Sequence, residues 1–332
     1  MASIDHTQQK YEVRPGAREF PMMVVVSFVF PCNAKCPHCP FTHSETRSEY
    51  ADQPFIGVET FKRIAEECGK YGSWVRLTGG GEPTLHPQGI ELIEYAKSVG
   101  AKVGLITNGS KMTEGYATRL LRAGVDMIEF SVDAADRETY GIVRKGLSWD
   151  TLLKNVTKTI ELRNELQSTS RIIASGINQV GVDIDSVATF WEKIVDVFQK
   201  RKFLTYGTTS PEMSADPEPY LPPEEQIPCP YLFERLNIDT RGTIYLCAYD
   251  SVERTTDMGN VNSTTIKDVW NGAVFEHYRK MHLEKRGNEM SPCNRCEDWK
   301  FRSWQHNYWK LVDKAQRTTD TVATGSIAES IE

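Results

Sequence analysis

From residue 22 to about residue 210 short apolar segments alternate with amphipathic ones, and this alternation narrows the fold more than any single motif. The strand-like segments are Met23–Phe30, Trp74–Thr78, Lys102–Thr107, Met127–Val132, Arg171–Val180 and Lys202–Thr208. Each is short and rich in β-branched or aromatic residues, as buried parallel strands are. Between them Glu59–Tyr71, Gln88–Val99, Glu114–Ala123, Trp149–Leu166 and Ser186–Lys200 show helical spacing. Thr60, and Ser186 or Asp185, are expected to cap two of these helices. Successive βα units predict an α/β fold with a parallel sheet and right-handed crossovers. Periodicity alone fits both a partial TIM-like barrel and a doubly wound sheet.

The alternation stops at Pro211, where a proline-rich, acidic stretch to residue 230 reads as a linker. Leu236–Asp239 and Thr243–Ala248 then flank Thr240-Arg241-Gly242, which predicts a β-hairpin. A helix is expected over Ile266–Met281, and another is expected to open at Cys293-Asn-Arg-Cys296 and run on to about residue 314. The expected division is an N-terminal extension over 1–21, a core over 22–210, a second unit over 211–315 and a polar tail over 316–332.

Net charge is 39 − 45 = −6, which gives no general attraction to nucleic acid or to an anionic membrane. No apolar run approaches the roughly 20 residues that span a bilayer, and the first twenty residues lack the apolar core of a signal peptide. A cytoplasmic location is the expectation. In a reducing compartment clustered cysteines are more often metal ligands or catalytic groups than disulfides. The eight cysteines lie at 32, 36, 39, 68, 229, 247, 293 and 296. Cys68 sits alone at core spacing on a helix and reads as packing.

The first strand runs directly into Cys32-Asn-Ala-Lys-Cys36-Pro-His-Cys39. This spacing lets one loop turn three thiolates to one face of a metal centre. A structural zinc site closes with four ligands, for which His38 or His43 stands near. A [4Fe–4S] cluster held by three cysteines leaves one iron open to a cofactor or substrate. A loop after a barrel strand lies on the face where active sites are built. The second strand ends in Thr78-Gly79-Gly80-Gly81-Glu82-Pro83. Glycines let backbone come close to a ligand, and a carboxylate suits an ammonium group. The plain alternative is an ordinary glycine-rich turn.

Together these motifs resemble the radical S-adenosylmethionine superfamily over residues 22 to about 210. The resemblance implies a partial (β/α)6 TIM-like barrel, a [4Fe–4S] cluster on Cys32, Cys36 and Cys39, and S-adenosylmethionine chelated to the open iron. Reductive cleavage of that cofactor would give a 5′-deoxyadenosyl radical that abstracts hydrogen from a substrate carbon. Gly80, Gly81 and Glu82 would hold the methionine ammonium. Asn108 and the pair Ser131 and Asp133 resemble positions near the nucleoside, Arg144 one that meets the methionine carboxylate, and His38 one near adenine. The electron would come from a donor such as flavodoxin or ferredoxin.

Cys229, Cys247, Cys293 and Cys296 come from separated segments and can close a tetrahedral zinc site or a cubane equally well by chemistry. The Gly242-to-Cys247 hairpin, Met258-Gly-Asn-Val-Asn and the later C-x2-C resemble a small C-terminal α+β SPASM/twitch-type extension. That resemblance implies a second, auxiliary [4Fe–4S] cluster on these cysteines, in the shorter twitch form because no cysteine follows Cys296. A substrate radical beside such a cluster can give up an electron to it.

The expected activity is therefore oxidation or rearrangement of a hydroxyl-rich small molecule such as a sugar, aminocyclitol or nucleoside. It resembles that of the 2-deoxy-scyllo-inosamine dehydrogenase-like twitch enzymes. Two alternatives stand: a peptide- or protein-modifying maturase, against which the short stretch before strand one is too small for a leader-binding domain, and a non-enzymatic zinc-stabilised α/β binding protein. The sequence assigns no final proton acceptor: Tyr206, Glu212, Asp250 and Arg254 lie near the expected mouth, but each reads first as an ordinary surface or loop residue. The aromatic run from Trp299 to Trp309 is expected to pack the second unit on the barrel rather than line a pocket.

Overall fold

The computed structural model describes residues 17–42, 48–204, 214–215, 222, 225–296 and 298–300. Its frame is an eight-stranded sheet of β1 (Met23–Ser27), β2 (Trp74–Thr78), β3 (Lys102–Thr107), β4 (Met127–Ser131), β5 (Arg171–Asn178), β6 (Val197–Lys202), β7 (Arg235–Ile238) and β8 (Ile244–Tyr245). The order is β6-β5-β4-β3-β2-β1-β7-β8, with every pairing parallel except β7–β8. The connecting helices are α1 (Val58–Lys70), α2 (Gly89–Ser98), α3 (Glu114–Ala123), α4 (Arg137–Val143), α5 (Trp149–Glu165) and α6 (Ile184–Trp191). The sheet does not close on itself, so the barrel is partial.

Side chains alternate across each strand, and the two faces have different chemistry. Val24, Val26, Val75, Leu77, Val103, Leu105, Ile128, Phe130, Ile172 and Ala174 pack outward against the helices in the main core. On α1 that packing uses Phe61, Ile64, Ala65 and Cys68, an i, i+3, i+4, i+7 stripe. Burying each large side chain there contributes about 1.5–3 kcal/mol. Cys68 is fully buried in this core. On the inner face Met23, Val25, Trp74, Met127 and Ile173 form a separate apolar cluster that plugs the lumen.

Several boundaries differ from the sequence expectation. Thr113, Asp136, Ser148 and Asp183 cap α3, α4, α5 and α6. Asp183 therefore takes the place expected of Ser186 or Asp185, while α1 starts at Gly57 with no side-chain cap. Thr60 instead donates to Asn262 at 3.0 Å. The sixth strand occupies 197–202, where a helix was expected to end, and the expected strand over Lys202–Thr208 runs out of the described residues. The expected helix over 266–281 is two, α9 (Ile266–Trp270) and α10 (Ala273–Leu283), broken at Asn271-Gly272. Before them lie the short α7 (Tyr231–Glu234) and α8 (Asp250–Glu253).

The hairpin is not a free-standing unit. Its first strand, β7, pairs parallel with β1, Met23 opposite Arg235 and Val26 opposite Ile238. The second unit thereby continues the barrel sheet past its first strand. No helix among the described residues is long and apolar enough to cross a membrane.

Candidate active site and second thiol set

The loop after β1 carries the first three cysteines and is pinned from several sides. Lys35 N donates to Lys145 O at 2.8 Å, and Asn33 is tied to both Asn108 and Ser110. Cys39 N donates to Cys36 O at 3.1 Å, which tightens the turn between those two residues. The glycine-rich turn after β2 lies against this loop, with Glu82 N donating to Pro31 O at 2.9 Å. The approach is tight: a Cβ on Gly81 would lie 2.2 Å from Pro31 O, and one on Gly80 would lie 2.2 Å from the Phe30 ring. Gly79 has φ +116°, and a Cβ there would meet Ser27. Gly81→Ala is therefore expected to push the turn off the cysteine loop. Equilibrium dialysis of S-adenosylmethionine with the reconstituted variant should show affinity lowered at least tenfold; unchanged affinity would remove the turn from the binding site.

Glu82 is fully buried and its carboxylate is already engaged. Oε1 accepts from Thr84 N (3.1 Å), Thr84 Oγ1 (2.6 Å) and Thr107 Oγ1 (2.6 Å), and Oε2 accepts from Asn108 N (2.7 Å). Burial raises its carboxyl above the usual range, and these donors pull it back. It braces the ends of β2 and β3 together. Asn108, whose amide reaches Asn33 Oδ1, extends the same brace to the cysteine loop.

After β4 the backbone turns through Asp133, which has φ +53° and no exposed surface. Its carboxylate accepts from Ile177 N at 2.7 Å and pairs with Arg144 Nη2 at 2.5 Å. Arg144 in turn lies 3.8 Å from Cys36 Sγ, and His38 Nε2 lies 3.7 Å from Asp133 Oδ2. Burial pushes the Cys36 thiol up, with Arg144 opposing, and burial lowers His38 to about 4. His38, Arg144 and Asp133, drawn from three segments, thus stand together beside Cys36.

Cys32, Cys36, Cys39, His38, Gly80, Gly81, Glu82, Asn108, Ser131, Asp133 and Arg144 all line one cavity of about 790 Å³, which continues into the lumen. His38 Nδ1, Tyr140 Oη and Arg144 Nε are buried with no hydrogen-bond partner among the described residues. Three thiols on one wall, backbone stripped of side chains beside them and polar atoms awaiting partners fit a three-cysteine cluster with a zwitterionic cofactor.

The second thiol set gathers around a smaller cavity lined by Cys229, Cys247, Cys293 and Cys296. Burial raises the Cys247 and Cys293 thiols well above the usual range, and the neighbouring cysteines add to the rise. Loading such a site with metal must therefore expel protons. Asp250 N donates to Cys247 Sγ at 3.4 Å, and His282 Nδ1 accepts from Cys229 N at 3.4 Å. Cys293 and Cys296 lie on a turn rather than at the start of a helix. Four thiols on the wall of one cavity are the donor set of a fully cysteine-ligated cluster. Among the described residues no three His, Cys, Asp or Glu side chains are gathered tightly enough to grip a single ion.

The mouth candidates fare differently. Asp250 is fully buried, with its carboxylate held by the backbone and hydroxyls of Thr255 and Thr256 and by Leu246 N. It is not on the wall of the lumen cavity. Arg254 pairs with Glu49 at 2.6 Å and lies over the Tyr50 ring, outside the cavity wall. Tyr206, Glu212, His43 and the aromatic run beyond Lys300 lie outside the described residues. Trp299 packs edge-on to His282 and donates to Cys293 O at 2.9 Å. Charged lumen residues were missed: Arg76, Arg201 and Arg235 also line the cavity, with Glu129 behind them. Only Arg76 and Glu129 carry a local signal, a charge in the middle of an apolar strand, and nothing local groups them with Arg201 or Arg235.

Residues 26–177 match the family model of the radical SAM superfamily, and residues 229–297 match that of the SPASM iron–sulfur cluster-binding domain. An AdoMet-dependent heme synthase of Methanosarcina barkeri is 29% identical over 36% of this chain and 33% of its own length. A probable GTP 3′,8-cyclase of Methanothermobacter thermautotrophicus is 26% identical over 47% of this chain and 50% of its own. The chain thus spans between a third and a half of these curated relatives. Among solved structures, Streptococcus suis SuiB bound to precursor peptide SuiA superimposes with a TM-score of 0.65 at 16% identity, covering 96% of this chain and 78% of that one. BtrN in complex with AdoMet and 2-DOIA gives a TM-score of 0.54 at 16% identity, covering 83% of this chain and 92% of that one.

Proposed function

We propose that this chain, a radical SAM protein with a SPASM iron–sulfur domain, oxidises a hydroxyl-rich small molecule held in the lumen and passes an electron from it to an auxiliary cluster. Its cofactors are a [4Fe–4S] cluster with S-adenosylmethionine and auxiliary iron–sulfur, which when bound supply the one-electron chemistry that takes a hydrogen atom from carbon. One observation supports the oxidative outcome: the lumen cavity and the second thiol cavity share Leu204, Tyr231 and Ala248 as a common wall. An electron leaving a substrate in the lumen would have only that wall to cross.

In this assignment Cys32, Cys36 and Cys39 hold the first cluster and Cys229, Cys247, Cys293 and Cys296 the second. Gly80 and Gly81 offer backbone to the methionine portion, and Glu82 sets the shape of that backbone. Asn108, Ser131 and Asp133, on the same cavity wall, would offer partners to ribose hydroxyls, and His38 would contact the adenine. Arg144, which donates to Cys36 Sγ and is oriented by Asp133, can turn a guanidinium fork to a carboxylate. The apolar plug of Met23, Val25, Trp74, Met127 and Ile173 closes the lower end of the lumen to water.

The test is anaerobic turnover with a chemical reductant and panels of polyols, nucleosides and peptides. Release of 5′-deoxyadenosine coupled one-to-one to a two-electron-oxidised small molecule is the expected result. Coupled modification of a peptide, with none of any small molecule, would overturn the substrate class; a colourless, zinc-loaded protein would overturn the chemistry. The electron donor, for which flavodoxin and ferredoxin are the proposed partners, is checked by replacing the chemical reductant with each.

A further inference from the structure

We propose that the middle level of the lumen is a phosphate subsite, so that the substrate is a phosphorylated sugar or nucleoside rather than an aminocyclitol. This rests on the lumen being the substrate chamber, as proposed above. The side chains that define the level come from facing strands. Arg76 on β2 and Arg201 on β6 converge on Glu129 of β4, Arg76 at 3.5 Å from Oε2 and Arg201 on Oε1. Arg235, at the start of β7, pairs with Glu234 at 3.2 Å and lies over the Tyr231 ring. Arg76, Arg201, Lys202 and Arg235 all line the cavity, whereas Glu129 and Glu234, fully buried, do not.

The bland alternative is a buried ion-pair cluster that only holds strands together. Two features weigh against it. The lumen is already sealed below by Met23, Val25, Trp74, Met127 and Ile173, so this level needs no charge for closure. Arg76 and Arg235 are 8% and 5% exposed, and desolvating guanidinium groups beside a large cavity is a cost that apolar residues of similar size would avoid. Glu129 explains the arrangement differently. Burial by itself would raise its carboxyl, yet Arg201 and Arg76 hold it below its usual value. It stays ionised and fixes two guanidinium groups in one place.

Phosphate suits the site better than a carboxylate. One bidentate fork satisfies a carboxylate, whereas two guanidinium groups held together on Glu129, with Arg235 two residues lower on the neighbouring wall, suit the several terminal oxygens and the higher charge of a phosphate. The neutral groups at the same level, Ser175, Gln199 and Asn237, suit sugar hydroxyls. Arg76 lies two residues below Thr78, ~7 Å down the strand. A pentose phosphate anchored there extends upward toward the cysteine loop. An ammonium-bearing cyclitol would meet like charge instead.

Titration calorimetry on the cluster-loaded protein tests this with inorganic phosphate, ribose 5-phosphate, ribose and gluconate. Ribose 5-phosphate should bind at least tenfold more tightly than ribose or gluconate, and inorganic phosphate should compete with it. Arg201→Gln, on the half-exposed edge strand, should weaken ribose 5-phosphate at least tenfold and leave S-adenosylmethionine affinity unchanged. Equal binding of ribose and ribose 5-phosphate, gluconate binding as tightly, or an unaffected Arg201→Gln would each overturn the subsite. The ligand panel on the unaltered protein decides even if the variant misfolds. Phosphate binding with no coupled 5′-deoxyadenosine release would sink the oxidation proposal and leave the subsite standing.

Discussion

Replacing Cys32, Cys36 and Cys39 together by alanine is expected to abolish 5′-deoxyadenosine formation outright and to remove about half of the iron. Two cubanes give about eight irons per chain when the protein is reconstituted anaerobically, and the triple variant should keep about four. The loss should be local, because the loop is held by contacts that do not use its thiols. Lys35 N to Lys145 O, Asn33 to Asn108 and Glu82 N to Pro31 O all remain. The melting temperature should therefore fall by only a few degrees. Replacing Cys229, Cys247, Cys293 and Cys296 should remove the complementary half and, since Cys293 lies in the core, should also destabilise the fold. A triple variant that retains its full iron complement, or that still releases 5′-deoxyadenosine, would refute the assignment of the first three thiols.

Why the first site could be read from the chain, and the lumen could not, follows from how each is encoded. The cysteine loop and the turn at 79–83 are contiguous, and each joins a strand whose boundary is marked by composition. β2, β3 and α3 fall where periodicity puts them, since Val75 and Leu77, Val103 and Leu105, and Ala117, Leu120 and Leu121 recur at strand and helix spacing on the buried face. The edge strand β6 is different. Val197-Phe-Gln-Lys-Arg-Lys202 has only two apolar residues, as suits a strand with no neighbour on its outer edge among the described residues, and Thr-Tyr-Gly-Thr-Thr just beyond in the sequence looks more strand-like. The parallel pairing of β7 with β1 joins residues more than two hundred positions apart and leaves no local mark. Arg76 and Arg201, which meet on Glu129 in the lumen, likewise come from strands far apart in the chain. Only the sheet order brings them together.

Asp250→Ala is expected to have the second-largest effect, and it acts without touching a thiol. Asp250 opens α8, three residues after Cys247, with its side chain wholly buried. Its carboxylate accepts from Leu246 N at 3.0 Å, Thr255 N at 3.1 Å, Thr255 Oγ1 at 2.9 Å, Thr256 N at 3.2 Å and Thr256 Oγ1. One side chain thus folds the backbone on both sides of the cysteine into a knot, and its own N–H reaches Cys247 Sγ. The hydroxyls can turn to other acceptors when it is removed. The three amides are fixed, and each buried donor left without a partner costs about 1–3 kcal/mol. The sum rivals the net stability of a typical domain, about 5–15 kcal/mol. The melting temperature should drop by roughly 5 °C or more, and the iron content should fall toward about four per chain as the auxiliary site loosens. Asp250→Asn keeps the shape but turns an NH2 toward some of those amides, so it should fall between alanine and the native protein. Electron paramagnetic resonance of the reduced protein separates this from general unfolding: the signal of the first cluster should persist while that of the second broadens or disappears. Full iron and an unshifted melt in Asp250→Ala would mean that the Cys247 loop is shaped by something other than this carboxylate.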